Sequence, residues 1–360
     1  MHRVAILLSC ILTALIDAAP KPLPVNPRDH VVFIGNTFAV RMGIFGHFET
    51  FLHCRFPEHK LTVRNLGWPA DEITRLARPL VDQTIGNRKW DGSKSLLMPR
   101  PKGFGSLHKQ LKDQKADLIF ACFGMNESYA EESGLAKFEA DLDAFVRGLQ
   151  AQRFNKKTPP RIVVVSPIAQ EQGGQARNVN LAYYAAAMKK VAAARSIRFV
   201  DLFAPTREWM TRDDSKPLTF NGIHLTEFGD WAVSRILAQA LGFSLEKGKA
   251  DATAATLRRL VYDKDHHFFI RWRGPNAEYI HGERNRMPGS IKLPEEMAEY
   301  GKLIAQQDRR IWQAHKPAAD SLWAAPPKGR PIWATSPKLK APQFAPTQKM
   351  GRTRLLSPET

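Results

Sequence analysis

The sequence predicts an α/β protein in which a doubly wound, parallel sheet of about five strands lies between two layers of helices. Three observations support this prediction. Apolar runs of strand length alternate with longer segments that place apolar residues three and four apart. The runs show no polar alternation, as in the three consecutive valines at 163–165, which is typical of strands buried on both faces. With 43% apolar and 24% charged residues, the 360-residue chain can bury a sizeable core.

The predicted elements follow one another along the first two thirds of the chain. Strands are predicted at 30–34, 61–65, 116–123, 161–166 and 198–202. Helices are predicted at 39–56, 72–80, 134–150, 178–195 and 226–241. Residues 83–104 interrupt this alternation with glycines and prolines among basic residues, so we predict a long surface loop that borders a site at the carboxyl edge of the sheet.

The amino terminus has the pattern of a signal peptide. Residues 1–18 combine a basic start with a 13-residue apolar run at 4–16, and the small residues Ala18 and Ala19 precede Pro20. A run of this length is too short to span a bilayer, and small residues are typical of a cleavage site. We therefore predict export to the periplasm or the cell exterior, with an uncleaved anchor as the alternative.

The carboxyl-terminal third is predicted to lie outside the α/β body, which spans residues 28–245. Residues 246–315 form an extension with helices at 251–262 and 294–312 and a short strand-like run at 267–272. Residues 316–360 hold eight prolines and eight Lys or Arg against two acids, which predicts a basic, extended and mobile tail.

Three tryptophans lie about ten residues apart near the end of the chain. Trp312, Trp323 and Trp333 leave two interpretations open. They anchor segments of the tail onto the body, or they form an aromatic platform for a ligand.

The charge balance points to an anionic partner. The chain has 53 Lys and Arg against 35 Asp and Glu, a formal net charge of +18, and the two carboxyl-terminal regions carry much of the excess. The sequence contains no arginine-rich helix, zinc module or aromatic RNA-binding motif, so we predict no specific nucleic acid. An acidic polysaccharide or an envelope surface, bound through the basic carboxyl-terminal region, is the predicted partner.

Cysteine and histidine spacing predicts no metal site. Three cysteines exclude a disulfide-stapled scaffold, and no Cys-x-x-Cys pair accompanies a histidine cluster. His266 and His267 lack a third ligand at suitable spacing. Cys54 and Cys122 could form a disulfide, although Cys122 lies in an apolar run that favours a small buried side chain.

Four short motifs follow predicted strands or precede the last predicted helix. In an open parallel sheet the carboxyl ends of the strands share one crevice, so we expect these motifs to meet there. The motifs are Gly35-Asn36-Thr37, Asn65-Leu66-Gly67, Gly124-Met125-Asn126 and Asn221-Gly222-Ile223-His224.

This ordered set resembles the SGNH (GDSL-type) hydrolase family over roughly residues 28–245. It also resembles an exported bacterial subgroup with Gly-Asn-Thr in the first block and an Arg-Trp-Arg sequence, here 271–273, in a carboxyl-terminal extension. The resemblance implies a flavodoxin-like fold and hydrolysis of a carboxylic ester by acyl transfer, without a cofactor. The implied substrate is an O-acylated carbohydrate or a similar small ester.

The resemblance also implies a role for each matching residue. Thr37 takes the position of the nucleophile, His224 that of the general base, and Asn221 that of the residue that orients the histidine. The oxyanion donors are the backbone N–H groups of Thr37 and Gly67 and the side-chain amide of Asn126.

Three substitutions depart from the family pattern. Thr37 replaces a serine, and its β-methyl group restricts χ1 and crowds the approach to a carbonyl. Asn36 and Asn221 each replace an aspartate, and an amide cannot supply the negative charge that stabilises an imidazolium. In a Ser-His-Asp protease, the Asp-to-Asn change alone lowers kcat about 10⁴-fold.

Two hypotheses therefore remain open. The chain is an exported esterase, or it is a catalytically impaired relative that binds a glycan or acyl ligand without turnover. Asp213, Asp214 and Glu227 are the carboxylates near enough to His224 in sequence to replace the missing aspartate. Otherwise, the two aspartates are solvated loop charges, and Glu227 is a first-turn helix residue favoured by the helix dipole.

Overall fold

A computed structural model describes residues 20–327, apart from residues 75, 77–101, 172, 214, 244, 246–247, 275–276 and 289–291. The described residues belong to one compact unit. The predicted signal peptide, most of the predicted loop at 83–104, and the predicted tail beyond residue 327 lie outside the described residues. Of that loop, Lys102–Phe104 forms a turn of 3₁₀ helix.

Five parallel strands form one sheet with the order β2-β1-β3-β4-β5. Adjacent strands are in register, so that Phe33 of the first strand lies beside Asn65 and Phe120 of its two neighbours. The predicted fold class is confirmed, and each observed strand falls within a few residues of its predicted range. The strands are β1 (His30–Gly35), β2 (Thr62–Asn65), β3 (Leu118–Cys122), β4 (Arg161–Val165) and β5 (Arg198–Val200).

Ten α-helices lie within the described residues. They are α1 (Thr37–Phe45), α2 (His47–Arg55), α3 (Leu107–Asp113), α4 (Leu135–Gln150), α5 (Asn178–Ala194), α6 (Phe203–Met210), α7 (Glu227–Ala240), α8 (Ala252–Trp272), α9 (Ala277–His281) and α10 (Leu293–Gln313).

The helix predicted at 39–56 is two helices that meet at Gly46. This residue has a left-handed φ of 68°, and its N–H donates to Met42 O, which ends α1. Of the helix predicted at 72–80, residues 75 and 77–80 lie outside the described part, and the described residues are not helical, with a turn at residues 73–74.

The sequence prediction missed α3 and α6. The first is seven residues long and begins at Ser106, whose hydroxyl accepts the N–H of Lys109 at 3.2 Å. The second contains Pro205 in its first turn, where a proline is compatible with a helix because no intrahelical N–H is lost.

Successive residues of β1 point to opposite faces of the sheet and join two separate cores. Val31 and Phe33 pack in a cluster that includes residues of α2 and α7. Val32 and Ile34 pack in a second cluster with residues of α4 and α5. These two clusters account for the three layers, and burial on both faces explains why the strands show no polar alternation.

The carboxyl-terminal extension is helical throughout its described elements. The strand-like run predicted at 267–272 is wrong, since α8 continues without a break to Trp272. Phe268 and Trp272, four residues apart, form one face of this helix and enter the core beside the sheet. The helix predicted at 294–312 is α10. Among the described helices, none is long and apolar enough to cross a bilayer.

The prediction of an extended tail is wrong for its first described residues. Ala319–Trp323 forms a 3₁₀ helix, and Trp323 is buried with its ring centroid 5.7 Å from that of Phe51. Trp231 of α7 donates its indole N–H to Leu322 O at 2.8 Å. Trp323 is therefore an anchor, whereas Trp333 lies outside the described residues.

A buried cluster of charges joins α8 and α10 to the α/β body. Lys264 of α8 is fully buried, and its ammonium group contacts the carboxylates of Glu49 at 2.7 Å and Asp265 at 2.5 Å. Arg64 of β2 forms a two-pronged ion pair with Asp308 of α10. Removing either helix would leave buried charges of the body without partners.

Cys54 and Cys122 are buried, free thiols and do not form a disulfide. Burial raises the pKa of the Cys54 thiol to about 12 and also raises the pKa of Cys122. Both therefore serve as small core residues.

Candidate active site

A pocket lies at the carboxyl edge of the sheet, where β1, β3 and β4 end. Three of the predicted catalytic residues, Thr37, Asn126 and His224, line it together. Its volume is about 40 Å³. The remaining lining residues are Asn36, Phe38, Arg41, Cys122, Phe123, Met125, Ser166, Pro167, Ile168, Ile223 and Leu225.

A tight turn after β1 presents Thr37 at the start of α1. Gly35 has a φ of 129°, and a Cβ atom there would collide with the carbonyl of Cys122. Asn36 caps the helix, because its Oδ1 accepts the N–H of Phe38 at 3.0 Å. Thr37 is the first helical residue, whose backbone N–H has no intrahelical partner. The positive end of the helix dipole also favours negative charge there.

The structure does not bring Gly67 into the pocket. Its backbone N–H donates to Asn65 Oδ1 at 2.9 Å, and Gly67 is not among the lining residues. The prediction that this N–H is an available oxyanion donor is therefore wrong for this conformation. Asn65 was missed as an organising residue: its amide also donates to Ala39 O at 2.6 Å and ties the loop after β2 to α1.

Asn126 lines the pocket with a weakly held side chain. Its amide nitrogen lies 3.4 Å from Asp71 O, which is near the limit for a hydrogen bond. The neighbouring Glu127 fixes the loop around it, accepting the N–H groups of Gly124 at 2.8 Å and Ile73 at 3.0 Å. Burial raises the pKa of the Glu127 carboxyl to about 7. The sequence analysis did not predict this role of Glu127, although the position of Glu127 directly after Asn126 was a signal for it.

Asn221 holds the His224 ring at Nδ1. Its Oδ1 accepts the backbone N–H of His224 at 2.9 Å and lies 3.2 Å from the ring Nδ1, while its Nδ2 lies 3.0 Å from the same nitrogen. When Nδ1 carries the proton and donates to Oδ1, Nε2 is left as a proton acceptor. The predicted pairing of Asn221 with His224 is therefore present.

The loop that carries His224 is fixed from two sides. The carboxylate of Glu171 accepts the N–H groups of Leu218 at 2.9 Å and Thr219 at 2.7 Å. Glu171 also donates its own N–H to the carbonyl of Gly222 at 2.8 Å. The ring of Phe220 stacks on the His224 ring with their centroids 5.8 Å apart.

Arg41 of α1 is a further pocket residue that the sequence analysis missed. Its Nε donates to Leu225 O at 2.7 Å, and its guanidinium lies over the Phe220 ring, 4.9 Å from the centroid. Partial burial of the ring, together with the positive charge of Arg41, lowers the pKa of His224. The imidazole is therefore favoured in its neutral form.

No carboxylate forms a hydrogen bond with His224 within the described part of the chain. Glu227 instead forms an ion pair with Arg258 at 2.7 Å, so it does not replace the missing aspartate. Asp213 has no bond to the ring, and Asp214 lies outside the described residues.

The described residues contain no cluster of three or more His, Cys, Asp or Glu side chains suited to a metal ion. His267 is instead paired with the side-chain amide of Gln307, 2.9 Å away.

Comparison with known families identifies this region. Residues 62–232, from β2 into α7, match the model of the "GDSL-like Lipase/Acylhydrolase family". The chain carries a GDSL-like acylhydrolase domain. The match includes the loops that hold Gly67, Asn126 and His224, and members of this family hydrolyse acyl esters. Among curated proteins, no sequence matches the chain.

The chain has also been compared with solved structures, and the likeness to one of them shows a shared fold. The chain is similar to "BT4096 a gut microbial diltiazem-metabolizing enzyme", with 12% identity and a TM-score of 0.53 over 82% of this chain and 96% of that chain. It is also similar to Axe2, an acetylxylan esterase from Geobacillus stearothermophilus, with 16% identity and a TM-score of 0.45 over 62% of this chain and 98% of that chain. At 12% identity, the likeness to BT4096 extends to the fold alone.

Proposed function

We propose that the α/β body hydrolyses a small carboxylic ester, with Thr37 as nucleophile and His224 as general base. The observation that supports this assignment is that both side chains line one pocket, with Asn126 between the strand ends and Asn221 on Nδ1 of the histidine. In the tautomer whose Nδ1–H donates to Asn221 Oδ1, Nε2 is the nitrogen that accepts a proton.

The reaction consists of two acyl transfers. Thr37 Oγ1 attacks the ester carbonyl while His224 Nε2 takes its proton. The oxyanion accepts hydrogen bonds from the Thr37 backbone N–H and the Asn126 amide. The intermediate collapses as His224 protonates the departing alcohol, which leaves an acyl-threonine. Water then attacks this ester with His224 again as base, and the acid is released as Thr37 regains its proton.

The dimensions of the pocket favour a short acyl group. Its volume of about 40 Å³ is only a few times the minimum of about 10–15 Å³ that a single water needs. Phe38, Met125 and Ile168 supply an apolar wall that suits a methyl group. We therefore propose an acetyl ester as the substrate.

A carbohydrate is the alcohol that best suits the rim of the pocket. Phe220 is 62% exposed and stacks on His224, so its outer face is available to a sugar ring. An O-acetylated carbohydrate would place the ester over Thr37 and a sugar ring against Phe220. This choice of substrate agrees with export, which we propose from the signal-like pattern of residues 1–18.

Binding without turnover is the second candidate function. It is favoured by the amide of Asn221 in place of a carboxylate, and by the bond that occupies the Gly67 N–H. A chain of this kind would hold an acetylated glycan in the same pocket without forming acyl-threonine.

Hydrolysis of p-nitrophenyl acetate by the full chain tests the proposal. We expect His224→Ala and Thr37→Ala to lose activity, and Thr37→Ser to retain or exceed it, because removing the β-methyl group relieves crowding at the nucleophile. His266→Ala on α8, outside the pocket, is the matched control and should behave as the parent protein. Equal rates for the parent and His224→Ala would exclude the enzyme assignment, and p-nitrophenyl octanoate should be a much poorer substrate than the acetate.

A further inference from the structure

A second depression lies at the opposite, amino-terminal edge of the sheet. Its volume is about 520 Å³, within the range typical of ligand sites. We call it the basic depression, and its lining includes Arg28, His30, Lys60, Thr62, Arg309 and Trp312. His30 and Thr62 are the first residues of β1 and β2, so the length of a strand separates this depression from the pocket at Thr37.

Three cations of the basic depression have no counter-charge. Arg28, Lys60 and Arg309 are exposed, and in the described part of the chain their side chains form no ion pair and no hydrogen bond. They come from three separate segments: the loop before β1, the loop before β2, and α10. Their mutual repulsion is unfavourable in the free protein and would be relieved by an anion.

Backbone contacts join the two loops that carry Arg28 and Lys60. The N–H of Arg28 donates to His59 O at 2.6 Å, and the N–H of Thr62 donates to Asp29 O at 3.0 Å. Arg28 and Lys60 also have positive φ values of 65° and 51°, which are uncommon for residues with a side chain. The two loops thus hold the backbones from which both cationic side chains extend close together.

Two carboxylates at this edge, Asp29 and Asp117, already contact other groups. Asp29 forms an ion pair with Arg161 at 2.5 Å. Asp117 accepts the N–H of His30 at 2.8 Å and the side-chain amide of Asn155 at 2.6 Å. The three lining cations outnumber Asp117, which keeps its charge because its donors are neutral, and Glu58 of the loop before β2, so an excess of positive charge remains in the basic depression.

Trp312 gives the basic depression an aromatic wall. Its indole N–H donates to Leu61 O at 2.7 Å, which fixes the orientation of a ring that is only partly buried. A fixed, partly exposed indole packs well against the apolar face of a sugar ring. A small inorganic anion would gain no binding energy from such an aromatic surface.

We propose that the basic depression binds an acidic oligosaccharide. Trp312 packs against one sugar ring, and Arg28, Lys60 and Arg309 bind the carboxylate or sulfate groups of that ring and its neighbours. The proposal concerns binding alone, so it stands whether or not Thr37 and His224 turn over an ester.

Calorimetric titration of the full chain with tetragalacturonate tests this site. We expect the triple variant Arg28→Glu, Lys60→Glu, Arg309→Glu to weaken binding by about tenfold or more, because attraction becomes repulsion. The matched control is Arg147→Glu, Lys189→Glu, Arg207→Glu, which makes the same charge change on exposed positions of α4, α5 and α6. We expect the control to change binding by less than about twofold. Trp312→Ala should also weaken binding, and the fully methyl-esterified, neutral tetrasaccharide should not bind.

Four results would overturn the proposal. The first is that the parent protein does not bind tetragalacturonate. The second is that both triple variants lose affinity equally, which would indicate long-range attraction by the net charge. Orthophosphate displaces the saccharide at equal concentration, which would indicate a small-anion site. A single-stranded oligonucleotide of the same charge binds more tightly and independently of Trp312, which would indicate nucleic acid. Circular dichroism of each variant is the check that the fold is retained. Lys60→Glu alone, at an exposed position of the loop before β2, is a milder variant that should also weaken binding.

Discussion

At the level of single residues, the contact between Asn221 and His224 decides how well the histidine can act as a base. The amide offers both a donor and an acceptor to Nδ1, at 3.0 Å and 3.2 Å. It therefore tolerates the tautomer with the proton on Nδ1, which is competent, and the tautomer with the proton on Nε2, which is not. A carboxylate accepts only, and would select the competent form.

Asn221→Asp is expected to increase the rate of ester hydrolysis. The carboxylate would fix the competent tautomer and stabilise the imidazolium, an effect of up to about 10⁴-fold in Ser-His-Asp proteases. The measurement is kcat for p-nitrophenyl acetate, compared with Asn221→Ala, which should be slower than the parent protein. A rate for Asn221→Asp no higher than that of the parent would contradict the orienting role of residue 221.

The pH dependence of the reaction should reflect the environment of His224. Burial and the nearby Arg41 lower the pKa of the imidazole, and only the neutral form can accept a proton. Activity should therefore rise with pH through a midpoint below the unperturbed value of about 6.5. The measurement is kcat/KM for p-nitrophenyl acetate against pH. Arg41→Gln should raise the midpoint and Arg41→Lys should keep it low, whereas a parent midpoint above that value would show that the two causes do not act on the base.

At the level of elements, the packing of α8 against the body depends on the fully buried charge of Lys264. Lys264→Met would leave the Glu49 and Asp265 carboxyl groups buried without their cation. Breaking a buried pair in this way typically costs about 3–5 kcal/mol, and we expect the free energy of unfolding to fall by that amount. Urea unfolding followed by circular dichroism provides the measurement.

Lys302→Met on α10 is the control for this substitution. Lys302 pairs with Glu299 at the surface, and its side chain is 75% exposed. Removing it should change the free energy of unfolding by no more than about 0.5 kcal/mol. Similar losses for the two variants would show that Lys264 contributes through its bulk or its helix propensity and not through its buried contacts.

The strands were predictable because burial on both faces leaves a strong local pattern, as at Val163 and Val164. The run at 267–272 was misjudged because a short apolar segment has no distinguishing period, and only its continuity with α8 decides the matter. α6 was not predicted because its eight residues include Pro205, and proline disfavours a helix at every position except the first turn, where Pro205 lies.

The candidate site also contains features that were predictable from the sequence and features that were not. Thr37, Asn126 and His224 were predictable from motifs at strand ends or before a helix, because a parallel sheet brings such positions to one edge. The hydrogen bond that occupies the Gly67 N–H was not predictable, because it depends on the rotamer of Asn65. Outside the site, the buried contact of Lys264 was not predictable either, because its partner Glu49 lies 215 residues away in sequence.

At the level of the whole molecule, the described carboxyl-terminal region is packed as part of the body. Trp272 and Ile304 join the core cluster on one face of the sheet, and Trp323 joins the cluster on the other face. The two buried ion pairs add polar contacts across the same boundary. The predicted division at residue 245 is therefore a boundary of sequence pattern and not of packing.

β1 spans the distance between the two sites, since the basic depression begins at its first residue and the pocket opens just beyond its last. A strand of six residues covers about 17 Å from first Cα to last. One acidic, acetylated glycan long enough to pass around the edge of the sheet would engage both sites together. The second contact would then be intramolecular, so the avidity of such a polymer would exceed that of its fragments and rise with chain length until the gap is spanned.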